Sequence, residues 1–175
     1  MQLAITVITP DPRIFVREHN RAVREANVET ARYHHEQHMP DHFKMVGYTK
    51  YGIAKRSAGY NKRKQRKYNH VLPLVYTGRT RQVVLSQRQI RATPKAARLI
   101  MRAPLQGGTG RIRWRAGMSK KQVNSAVEML KRVSELEAVS ADEVATLATM
   151  RGRYYVDSVN KNIAAGGRVR KRAGR

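Results

Sequence analysis

The chain of 175 residues contains no cysteine, which excludes disulfides, thiolate metal sites and a cysteine nucleophile. No apolar run approaches the roughly 20 residues that a membrane-spanning helix requires. Met1 to Ile8 is apolar, but it lacks a basic lead-in and stops at Pro10-Asp11-Pro12, so it does not read as a signal peptide. The expectation is a soluble protein, made without an export tag and without a membrane partner. The most informative gap is acidic. From His42 to Val127 there are 21 Lys or Arg and not one Asp or Glu. No acid and base pair of carboxylates can come from such a stretch, so an enzyme reading lacks its parts, and no catalytic residue is assigned.

The gap also fixes where the charge lies. Residues 1–41 carry a net −1, residues 42–127 carry +21, residues 128–165 carry −1 and the last ten carry +5, which together make the +24 of the whole chain. A surface normally intersperses both signs, because unneutralised like charge repels itself and attracts polyanions. The central block therefore expects an anionic partner. Nucleic acid fits, since each Lys or Arg set against a phosphate releases counterions, and an acidic protein surface would serve the same electrostatics.

The pattern along the chain predicts an α+β fold in a single domain, residues 1–165, followed by a basic flexible tail, residues 166–175. Leu3, Ile5 and Val7 alternate as a short strand. Asp11-Pro12 is a helix start, with a carboxylate cap and a proline where no N–H is needed. Phe15, Ala22, Val23, Ala26, Thr30 and Tyr33 recur at helical steps, which predicts one long helix to about His38, ended by Met39-Pro40. Residues 44–70 hold nine Lys or Arg among Tyr48, Tyr51, Tyr60 and Tyr68 without a clear period. They read as an extended basic arm with one short helical piece in Asn61 to Tyr68, and a long stretch of this kind is usually functional. Strands are expected at about Arg81 to Gln89, Lys95 to Ala103 and Arg111 to Arg115, with Pro104 to Gly110 as a hairpin tip, giving a small, mostly antiparallel sheet. Ser119-Lys120-Lys121-Gln122 and Ser140-Ala141-Asp142-Glu143 have capping-box form and open two C-terminal helices packed with that sheet. Gly166-Gly167 is read as the stop of the second.

Several patterns that could carry chemistry fail on spacing. His34 and His38 lie one helical turn apart and could hold a divalent ion, but the zincin pattern requires a second histidine where Met39 stands, and no third ligand is evident. No metal or cofactor is assigned. Gly107-Gly108-Thr109-Gly110-Arg111 lacks the Gly-Lys-Ser or Gly-Lys-Thr of a phosphate loop. The basic residues offer more. In an extended Arg111 to Arg115 the three arginines, Arg111, Arg113 and Arg115, line one face and Ile112 and Trp114 the other. Lys62, Arg63, Lys64, Arg66 and Lys67, interleaved with tyrosines, could track a phosphate backbone. These eight residues are the candidate polyanion-facing set. Nothing in the sequence supports specific base reading.

Met39-Pro40-x-x-Phe43, then Tyr48 and Tyr51, the basic Tyr60 to Tyr68 segment, Leu72-Pro73-Leu74-Val75-Tyr76-Thr77-Gly78-Arg79, and Leu136-x-Ala138-Val139-Ser140-x-x-Glu143 together resemble the virion morphogenesis proteins of tailed bacteriophages. These are the tail-completion, or head-to-tail joining, proteins of the virion neck. The likeness spans roughly residues 30–155 and rests on short motifs. It implies a non-enzymatic α+β subunit of the virion neck, made in the host bacterial cytoplasm and assembling into a homo-oligomeric ring between portal or connector and tail proteins, with genomic DNA passing through the channel. It gives Pro40, Phe43, Pro73, Leu74, Val75, Thr77, Gly78 and Arg79 a structural part, with Thr77-Gly78 as a turn. Two other readings stand beside it: a monomeric RNA-binding protein of ribosomal type, and a metal-dependent nuclease using His34 and His38.

Overall fold

The computed structural model describes residues 12–75, 78–86, 88–101, 119, 124, 131 and 133–172, with Pro12 and residues 163–172 as backbone only. The architecture is α+β. Helix α1, Pro12–Tyr33, opens on a proline whose missing N–H costs nothing in the first turn. It buries Ala22 and Ala26, one turn apart, and these small side chains let α1 pack closely on the C-terminal helix α5, Ala141–Arg172. The two helices run in opposite directions and are tied by polar side chains. Arg151 Nε donates to Asn27 Oδ1 at 2.8 Å and Ser158 Oγ to Glu25 at 2.6 Å, while His19 Nδ1 lies 2.9 Å from the Tyr155 hydroxyl.

The expected helix to His38 is present, but its last turn is a π-helix, His34–His38, followed by a 3-10 turn, Met39–Phe43. Pro40 lacks the N–H that would continue the α ladder, so Met39 N–H closes the wider turn on His34 O and the chain tightens after it. This change of pitch turns His35, Met39, His42 and Phe43 inward. Helix α2, Gly47–Lys50, folds back at once over the 3-10 turn. A Cβ at Gly47 would lie 2.9 Å from the Asp41 carbonyl oxygen and 3.0 Å from that of His42. Gly47→Ala must therefore push backbone against backbone, and a loss of about 1–3 kcal/mol is expected in urea unfolding.

The helical piece expected in Asn61 to Tyr68 is present and longer, so the second half of the arm is not extended. Helix α3, Ala58–Tyr68, is capped by Ser57, whose hydroxyl accepts from Tyr60 N–H at 3.3 Å, and by Asn69 in the left-handed region at φ 54°. The expected strand at Arg81 to Gln89 is also corrected. Residues Arg79–Ser86 form helix α4, begun by Gly78 at φ 81°, whose carbonyl accepts from Gln82 N–H at 2.9 Å. Alternation would have turned Gln82 and Ser86 inward beside Val84. A helix instead gathers Thr80, Val83 and Val84 on one side and leaves Gln82 and Ser86 exposed.

The sheet is a single antiparallel hairpin among the described residues, β1 Gln89–Ala92 and β2 Ala97–Ile100. The second strand falls inside the expected Lys95 to Ala103, whereas the first was missed. A core of Met39, Phe43, Val75, Val84 and Leu136, flanked by Leu72, Leu74, Leu85 and Met101, joins the 3-10 turn, the Leu72 to Val75 stretch and α4. The capping box at Ser140 is made in both directions, with Glu143 N–H on Ser140 Oγ at 3.3 Å and Ser140 N–H on Glu143 Oε2 at 3.1 Å. Helix α5 does not stop at Gly166-Gly167 but continues to Arg172. A glycine stop needs a positive φ, and among the described glycines only Gly52 and Gly78 adopt one. The strand at Leu3 to Val7, the Asp11 cap, the Pro104 to Gly110 tip and most of the helix expected after Ser119 lie outside the described residues.

Candidate functional site

On α3 the sequence spacing acquires a geometry. Lys62 and Arg66, and Arg63 and Lys67, are pairs four residues apart, so the four share one broad exposed face. Lys64 lies about 200° around the helix from Lys62 and is buried at 3% exposure. Its ammonium donates to the Leu72 carbonyl and sits 5.8 Å from the Tyr60 ring centroid, and burial, then the nearby Arg56, lowers its pKa. The expectation that Lys64 faces a polyanion is therefore corrected: it fastens α3 to the core. The tyrosines are likewise occupied within the fold. Tyr48 donates to Val71 O at 3.0 Å, and Tyr68 carries Lys67 at 5.4 Å from its ring centroid. Arg111, Arg113 and Arg115 lie outside the described residues.

Where the acid-poor block is neutralised, the carboxylates come from outside it. Lys44 and Lys50 pair with Asp41 at 2.8 and 2.9 Å, Arg56 with Glu135 at 2.6 Å, and Arg88 with Glu36 at 2.6 Å. Each pair stitches the block to a flanking segment. Lys62, Arg63, Arg66 and Lys67 have no carboxylate partner among the described residues, and the same holds for Arg91, Lys95 and Arg98 on the hairpin.

The flanks and the block meet most tightly at Glu143. This side chain is 1% exposed and receives Lys50 Nζ at 2.9 Å, the Tyr51 hydroxyl at 2.5 Å and His38 Nδ1 at 3.2 Å, besides its helix-capping bond. Burial pushes the carboxyl up, but the Lys50 and Tyr51 hydrogen bonds more than offset this and hold it below the usual carboxylate range. Burial opposes the Lys50 charge, yet Glu143 and Asp41 raise its pKa. The Tyr51 hydroxyl is raised by burial and then by Glu143, so it stays a donor. Glu143, Lys50 and Tyr51 satisfy one another, which makes them a lock between α2, α5 and the end of the long helix. The sequence marks Glu143 as a helix cap, Tyr51 as an arm and motif tyrosine and His38 as half of a histidine pair, but nothing in it joins them, because the partners meet only through tertiary packing.

The histidines flank the lock. His42 is fully buried, stacks on Tyr51 with ring centroids 3.7 Å apart, and donates from Nδ1 to Glu135 O at 3.0 Å. His35 donates from Nε2 to Val84 O at 2.8 Å. The His34 and His38 rings are 5.8 Å apart, and no group of three or more potential metal ligands converges among the described residues. Burial pushes His34 and His42 below the ordinary imidazole range. The unfolded chain takes up protons near pH 6.5 that the folded chain refuses, so stability must fall as pH drops below that value. Asp41 and Glu143, held below their ordinary values despite burial by hydrogen bonds from lysines and Tyr51, act in the same direction at lower pH. Urea unfolding is expected to show a loss of up to about 1.4 kcal/mol per pH unit for each of the two imidazoles below about pH 6.5. The double variant His34→Gln, His42→Gln should flatten that slope.

The structure also brings together the two halves of the Pro40 to Arg79 motif set. Phe43, Pro73 and Val75 are buried, and Leu74, at φ 54°, packs against the same core although leucine rarely adopts that conformation. Pro40 is half-buried in the 3-10 turn, Gly78 begins α4 and Arg79 is its first residue, while Thr77 lies outside the described residues. Among the described residues no helix is long and apolar enough to cross a membrane. Comparison of the chain with protein-family models, with curated proteins and with solved structures finds no match.

Proposed function

We propose that this chain is a non-enzymatic structural subunit of a tailed-phage virion, a ring-forming neck or tail-completion adaptor between the portal side of the capsid and the tail, with its basic surface turned toward DNA. The observation that carries this reading is the division of the cations. Cations that stitch the block to its flanks take carboxylates from them, and those on the outer face of α3 and on the hairpin are exposed without one among the described residues. Such a surface is completed by a polyanion. In a closed ring each of its positions recurs once per subunit, so modest contacts sum into a strong field around a channel. The motif resemblance supports the neck assignment, and of its residues Phe43, Leu74 and Val75 pack in or against the core. Subunit contact is supported by Ile14, Phe15 and Val16 at the start of α1, three consecutive apolar side chains of which Phe15 is 70% exposed.

Light scattering coupled to size-exclusion chromatography in high salt tests this directly. The expected result is a closed oligomer that Phe15→Glu dissociates. A monomer that binds structured RNA tightly would contradict the assignment and favour a ribosomal-type protein.

A further inference from the structure

The hairpin carries a feature that its four-residue strands do not need for folding. In the antiparallel register Arg91 stands directly opposite Arg98, with Ile90 opposite Leu99 and Ala92 opposite Ala97. Directly opposed residues share a face and have Cβ atoms only about 4.5–5.5 Å apart. The half-buried Ile90 and Leu99 therefore line the face toward α1, while Arg91 and Arg98 are both exposed on the other beside Gln89. Like charges in this position destabilise a hairpin. Neither guanidinium has a hydrogen-bond or ion-pair partner among the described residues, and Lys95 adds a third exposed cation at the turn.

The repulsive pair is held rigidly. The turn closes on itself through Thr93 N–H to Ala96 O at 2.8 Å. Asn27 Nδ2 donates to Thr93 O at 2.8 Å, and Asn27 is itself fixed by Arg151 on α5. Arg88, just before β1, is anchored to Glu36. The hairpin thus cannot relieve the repulsion by drifting from the body of the protein.

We propose that Arg91 and Arg98 form a clamp for the phosphodiester backbone of double-stranded DNA, with Lys95 as a flanking contact. This deepens, and rests on, the reading of the basic surface as DNA-facing. Guanidinium forks match phosphate oxygens bidentately, and a phosphate between them converts the cross-strand repulsion into two attractions. A protein partner is disfavoured by the composition of the face. Its exposed side chains, Gln89, Arg91 and Arg98, are all polar, and its single large apolar residue, Ile100 opposite Gln89, is half-buried at the strand end, so the face lacks the apolar centre that protein interfaces bury, whereas phosphate contact requires none. The clamp reads no sequence, since it touches backbone and not base edges.

The test is fluorescence anisotropy of the full chain with a labelled random-sequence duplex DNA across a salt series, with structured RNA in a parallel arm. Three variants are compared: Arg91→Ala with Arg98→Ala; Arg98→Glu, which keeps the hairpin through a new pair with Arg91; and Arg63→Ala with Arg66→Ala on α3. The wild type is expected to lose DNA affinity steeply with salt. The hairpin double variant should reduce the slope of log affinity against log salt by about 1.8, at roughly 0.9 per phosphate contact. Arg98→Glu should weaken binding further while its melting temperature rises. A hairpin double variant with unchanged slope would overturn the clamp and leave a DNA-facing α3 standing, provided the α3 variant lowers the slope. A wild type that binds no DNA overturns both, and tighter binding of RNA than DNA at equal salt overturns the DNA assignment.

Discussion

Glu143→Ala is expected to lower the unfolding free energy by about 3 kcal/mol, because removing the carboxylate from a buried ion pair leaves its donors undercompensated. Lys50 would keep Asp41 at 2.9 Å, and Tyr51 would keep the His38 carbonyl at 3.2 Å, so neither donor is left entirely alone. Ser140 N–H, however, would lose its acceptor, and His38 Nδ1 the carboxylate 3.2 Å away. The lysine side chain is 24% exposed against 2% for the carboxylate, so water reaching it limits the loss. Ser140→Ala separates the two duties of the site. It removes the helix cap and leaves the ion pair, so a loss of only about 1 kcal/mol is expected. Equal losses in the two variants, measured by chemical denaturation, would show that Glu143 acts as a cap alone.

Phe43→Ala should cost a comparable amount, about 3–5 kcal/mol, by a different mechanism. The ring is fully buried in the cluster with Met39, Val75, Val84 and Leu136, elements contributed from four separate stretches of chain. Its loss opens a cavity at the point where those stretches meet, and Leu74, held at φ 54° by the same packing, loses part of its support. Phe43→Leu keeps most of the volume and should cost distinctly less. Thermal unfolding followed by circular dichroism would rank the two variants, and near-equal melting temperatures would remove Phe43 from the centre of the core.

The difference in origin between these two effects mirrors what can be read along the chain. Helices α1 and α5 were legible because a proline start and a capping box coincide with apolar residues at helical steps. Phe43 was legible only as part of a motif. Most of helix α3 was legible as the short helical piece expected in Asn61 to Tyr68, but its inward side was not, because the side chain buried there is Lys64, which satisfies its ammonium on a backbone carbonyl. Val83 and Val84 suit a strand because β-branched residues favour one, but only a helix leaves Gln82 and Ser86 exposed while Val84 is buried between them. The Glu143 lock was invisible for a stronger reason. Its donors lie in residues 38–51, roughly a hundred positions away, and neither helical nor strand periodicity carries information over that distance. The charge map was fully legible, but the register that sets Arg91 against Arg98 was not.

Electron cryomicroscopy of the purified protein with duplex DNA at low salt tests the central claim most directly. The account predicts a closed ring around DNA, with the outer face of α3 and the β1–β2 hairpin turned toward the phosphates and Ile14 to Val16 covered by a neighbouring subunit. Isolated subunits, or a ring whose Lys62, Arg66, Arg91 and Arg98 point into bulk solvent away from the DNA, would contradict it.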